Sequence, residues 1–75
     1  MPWKAGDEVV EFEGAKGLRI SDSGKALLVE HEDFGKTHQA WVPLGQISED
    51  SEVYKADTDG VLIVTLWWAK TAGVA

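Results

Sequence analysis

Apolar and polar residues alternate along much of the chain with a period of two, the spacing of a strand rather than a helix. In "EVVEFEG", residues 8–14, Val10 and Phe12 fall on one face and Glu11 and Glu13 on the other. In "GLRIS", residues 17–21, Leu18 and Ile20 share a face with Arg19 between them. "SDSGK" has the composition of a turn, and "KALLVEH" that of a strand apolar on both faces. "EDFGKT" predicts the next turn and "HQAWVPL" the next strand. Pro43 has no amide hydrogen, so it should end that strand or lie on a sheet edge. "LGQISEDSEVY" is the least strand-like part and has room for one helical turn. Within it, Ser48 and Ser51 are each followed by acids, as at a helix start. "KADTDG" predicts the last turn, and "VLIVTLWWAKT", residues 61–71, the last and longest strand.

This pattern predicts an all-β fold, mostly antiparallel: a small barrel or rolled sheet of four or five strands with at most one short helical turn. Residues 1–75 read as a single β-rich domain, with 1–6 and 72–75 expected to fray.

The final apolar stretch raises a difficulty. Read as a strand, it puts Leu62, Val64, Leu66 and Trp68 on one face and Val61, Ile63, Thr65 and Trp67 on the other. A half-buried strand would alternate apolar with polar. Both faces therefore need cover, and the adjacent tryptophans should divide, one into the core and one outward. The second cover is expected to be another copy of the chain or a ligand. A plain central strand covered by "SEVYKAD" is the simpler alternative.

Size sharpens the same point. A chain of 75 residues has a small core and no cysteine, so neither a disulfide nor a cysteine-based zinc site can staple it. Close packing, a ligand or self-association remains. The composition, 44% hydrophobic and 27% charged, is that of a globular chain. No apolar run is long enough to span a membrane, and "MPWKAGDEVV" has no signal-peptide core. A cytoplasmic location without membrane contact is the expectation. The net charge is −6, and the seven bases are scattered singly, so binding to double-stranded nucleic acid is disfavoured.

Several motifs invite chemistry and offer little. "GKT" lacks the glycine that a phosphate loop places five positions earlier, where Glu30 stands. His31 and His38 flank a hairpin tip and could meet zinc with Asp33 or Glu30, but the spacing fits no ligand signature and two solvated hairpin histidines are the expectation. "DTDG" has half the acids of a calcium loop, but Trp68 occupies the position of its closing glutamate. No metal and no cofactor is expected, and no catalytic constellation stands out.

"WVPLGQI", residues 41–47, resembles the strand and one-turn helix that close SH3-type barrels. The chain departs from that family in lacking the acidic loop and paired aromatics expected ahead of the strand. The resemblance implies Val42 inward, Trp41 and Pro43 facing the other way, and an aromatic groove of Trp41, Pro43 and Tyr54 or Trp68 for extended peptides; the alternative is that Trp41 belongs to the core. Taken with "KALLVEH", "SEVY" and "GVLIVTLWWA", the motif is also similar to short bacteriophage-encoded proteins of unknown function. That likeness implies a phage accessory protein working in a host cytoplasm, and it brings no site residues.

The functional expectation is a non-enzymatic binding protein acting by contact, as inhibitor, adaptor or decoy of a host component. Four tryptophans in so short a chain motivate it, because tryptophan is enriched at interface hot spots. The candidate contact residues are Trp41, Pro43, Tyr54, Ile63, Thr65, Trp67 and Trp68. The expected partners are the chain itself, as a homo-oligomer, and a host protein. The alternative is an oligomer that sequesters a small molecule or nucleotide between subunits, with Arg19, Lys25 or Lys36 meeting its charge. A third reading is a single-stranded nucleic-acid binder that stacks bases on aromatics, which the negative charge opposes.

Overall fold

The computed structural model describes residues 8–74. Four strands follow the alternating segments: β1 (Val9–Ile20), β2 (Ala26–Glu30), β3 (Gln39–Pro43) and β4 (Asp59–Thr65). They form one antiparallel sheet in the order β3-β2-β1-β4. β1 is the longest strand at 12 residues, and it absorbs both "EVVEFEG" and "GLRIS". Its first half pairs with β4 and its second half with β2, with a register shift in each pairing. The sheet therefore rolls about β1. Its concave face holds Phe12, Ala15, Leu27, Val29, Val42, Leu62 and Val64, all buried. These are the inward positions of the period-two pattern, and Val42 points inward between outward Trp41 and Pro43 as expected.

The last apolar stretch departs from expectation. β4 stops at Thr65, and "LWWAKT" is not strand but a helix, α1 (Leu66–Thr71). The helical turn for which "LGQISEDSEVY" has room is present as a 3-10 turn over Leu44–Gln46, so α1 is the helical element beyond the pattern. The helix starts because Thr65 caps it: its Oγ1 accepts a hydrogen bond from the Trp68 amide at 3.1 Å. The end is equally defined. Val74 N–H bonds Ala69 C=O and Gly73 N–H bonds Lys70 C=O, with Gly73 at φ +75°. This is a Schellman closure, and Val74 packs on the core as its apolar partner. Residues 72–74, expected to fray, thus terminate the helix, whereas the expectation for 1–6 lies outside the described residues.

The two sheet edges are finished differently. Beyond β4, Ser48 N–H donates to Ile63 C=O (2.8 Å) and Glu52 N–H to Val61 C=O (2.9 Å). Side chains supply the other half of the ladder. Ile63 N–H donates to Ser51 Oγ (3.1 Å) and Val61 N–H to Glu52 Oε1 (2.9 Å). Ser51 is buried, and its hydroxyl also donates to Val53 C=O at 2.8 Å. Neither Ser48 nor Ser51 caps a helix here. They stand in for a fifth strand.

Beyond β3 there is no such cover among the described residues. The ladder bonds to β2 fall on alternate residues, as the bonds His31 N–H to His38 C=O and Leu44 N–H to Lys25 C=O fix. Gln39, Trp41 and Pro43 therefore turn their main-chain groups outward. Gln39 is met by Thr37 Oγ1 and Pro43 has no N–H, so among the described residues the outward amide left without such a device is that of Trp41.

His31 and Gly17 fix the remaining loops. His31, expected to be solvated, is buried. Its Nδ1 accepts from Asp33 N–H (3.0 Å), so its proton sits on Nε2, which donates to Glu13 C=O (2.8 Å). The ring stacks edge-on against Phe12, which meets Phe34, which meets Trp68. Gly17 receives the 54–58 loop. Its N–H donates to Thr58 C=O and its C=O accepts from Asp57 N–H, and a Cβ there would lie 2.3 Å from Lys55 O.

Candidate functional site

The helix α1 divides the tryptophan pair. Residues 67, 70 and 71 lie on its outer side and 68 and 69 on its inner side. Trp68 is 5% exposed and packs in the core against Phe34, while Trp67 is 65% exposed. The split expected of a strand is present, made instead by the turn of a helix.

Trp67 is held on a rigid base. Thr65 uses both capacities of its hydroxyl: it accepts from Trp68 N–H and donates to Gln46 Oε1 at 2.5 Å. Gln46 belongs to "WVPLGQI", so the two most distinctive motifs of the sequence meet at this hydroxyl. Leu66 N–H donates to Glu8 C=O at 3.0 Å, which ties the helix start to β1. An open hollow of about 420 Å³ lies beside the tryptophan, lined by Glu8, Thr65, Leu66, Trp67 and Lys70. Val9, itself exposed, pairs with Thr65 at its margin.

The other expected contact residues lie apart from it. Trp41 is 43% exposed on the convex sheet face. The pairing Arg19–Leu28–Trp41 crosses three strands there, and the Arg19 guanidinium stands 5.5 Å from the Trp41 ring centre. Pro43 lies two residues along the same edge. Arg19 is near one end of β1 and Val9 at the other, so this strip and the Trp67 hollow occupy opposite ends of that strand. Tyr54 is exposed on the loop docked against Gly17, with Lys55 over its ring. Trp68 is withdrawn into the core, so the expected groove has no wall from it. Ile63 and Thr65 are half-buried, the first held in the β4 edge and the second capping α1.

Lys25 and Lys36 are exposed in separate turns and do not approach the hollow's lining. The base that does is Lys70, and the acid is Glu8; sequence reasoning assigned neither. Their signal was conditional: only on a helix does Lys70 stand one turn from Trp67. His31 and His38 pair across the hairpin, but His31 is buried between Glu13 and Asp33 and His38 is exposed. Among the described residues no group of three or more potential metal ligands converges. "DTDG" forms the turn into β4, beside a second open hollow lined by Lys16, Gly17, Leu18, Asp57, Thr58 and Asp59. No helix among the described residues is long and apolar enough to cross a membrane. No protein-family model, curated protein or solved structure matches the chain.

Proposed function

We propose that this chain is a non-enzymatic binding protein that acts by contact, with Trp67 as its main anchor and the Trp41 strip as a second contact. The carrying observation is the exposure of Trp67, at 65%, on a helical turn that is capped, closed and anchored in the core by its neighbour. A large aromatic on a preordered support loses little freedom when a partner covers it, which is the property of an interface anchor. The phage-type accessory role implied by the sequence resemblance would make one partner a host protein. The net charge of −6 would favour a partner with a basic rim.

A photo-crosslinking residue placed at 67, at 41 and, as a control, at exposed Ser23 tests this inside the expression host. Protein adducts should form at 67 or 41 and not at 23. Absence of adducts at both aromatic positions, beside a saturable thermal shift with a small metabolite, would replace this reading with the sequestering one. That second reading draws on the hollow itself, whose volume of about 420 Å³ falls in the range of small-ligand sites.

A further inference from the structure

We infer that the occupant of the Trp67 hollow is a second copy of this chain, docked about a two-fold axis. The inference deepens the contact-acting reading and rests on it. The observation is the charge arrangement. One acid, Glu8, and one base, Lys70, line the hollow together with the exposed tryptophan. Among the described residues neither has an ion-pair partner. A two-fold contact is self-complementary: what stands left of the axis in one copy meets what stands right of it in the other. An axis beside Trp67 therefore sets Glu8 against the partner subunit's Lys70, twice, with the tryptophans between.

The chain carries −6, so two copies repel wherever their acids meet. At the hollow the two charges cancel, and Val9, Leu66 and Trp67 supply apolar surface. The exposed part of Trp67 is worth roughly 160 Å² if a tryptophan buries up to about 250 Å². With its few neighbours the patch falls well short of the ~1,200 Å² of a stable interface, so the dimer is weak and depends on concentration. Dimerisation leaves the Trp41 strip, at the far end of β1, open on both copies.

Charge exchange is the decisive experiment. Sedimentation equilibrium of the full chain from about 1 µM to about 1 mM, at low salt, should show a monomer–dimer equilibrium. W67A should be monomeric. E8K and K70E should each associate at least about tenfold more weakly, because like charges then face each other across the axis. Mixing E8K with K70E should recover a heterodimer, since every cross-pair is again opposite in sign, and the double variant E8K/K70E should recover a homodimer. All three substituted side chains are exposed, and circular dichroism checks that each variant folds. A wild-type monomer at the top concentration, or a dimer indifferent to W67A and to both single exchanges, overturns the inference. A wild-type monomer whose position 67 still crosslinks a different protein overturns this inference alone and leaves the contact-acting reading standing. No adducts at 67 or 41 overturn both.

Discussion

The two edges of the sheet face the same problem and solve it by opposite means. Both β3 and β4 end a four-stranded sheet and would expose a row of main-chain donors and acceptors. At β4 the row is filled: Ser48 and Glu52 supply main-chain bonds, and the Ser51 hydroxyl and Glu52 carboxylate complete them. At β3 the row is thinned: Pro43 removes a donor and Thr37 meets Gln39. Filling an edge ties it to the core, and the β4 side continues into α1, Trp68 and the Schellman closure. Thinning an edge leaves it open and nearly inert. Stability should therefore be concentrated on the β4 side, and control of association on the β3 edge and at Trp67.

The largest expected effect lies in the neighbouring tryptophans at the end of β4. Trp68→Ala should lower unfolding stability by about 3–5 kcal/mol, as truncation of a core aromatic does. Trp67→Ala should change it by no more than about 0.5 kcal/mol. Chemical denaturation of both variants checks this, and equal losses would break the assignment of core and surface roles. Next, Ser51→Ala should cost about 1–3 kcal/mol, because it strands the Ile63 and Val53 amides without their acceptor. Hydrogen exchange should quicken at those two amides first. Slower loss at Ile63 than at Trp41 in the variant would show that the β4 edge does not depend on the side chain. The smallest effect on stability is expected at Pro43→Thr, which is exposed and restores an outward N–H at the β3 edge. Its unfolding curve should move by about 0.5 kcal/mol or less, while light scattering at high concentration should rise. Unchanged scattering would mean that the open Trp41 donor is protected in some other way.

The contrast between the edges also explains what could be read in advance. The strands and their faces were legible because a period of two maps directly onto the two sides of a sheet. Ser51 was not, because a serine before acids signals a helix start just as well as an edge that lacks a partner. His31 was misread for a related reason: its spacing places it at a hairpin tip, but the Glu13 carbonyl that buries it lies 18 residues away.

The end of the chain separates the two kinds of information most clearly. By itself the sequence determined a small, acidic, cysteine-free β fold with antiparallel strands and a tryptophan pair that divides between core and surface. All of these follow from composition and local periodicity, which need no knowledge of distant neighbours. That the pair divides by helix rather than strand was decided by tertiary structure alone. "TLWWAK" is compatible with both, and the choice falls to helix because the Gln46 carboxamide reaches Thr65 from across the fold and the space beside Phe34 accepts Trp68. The same choice brought Lys70 round to Trp67 and into the hollow that Glu8 also lines, a grouping that no spacing along the chain reveals.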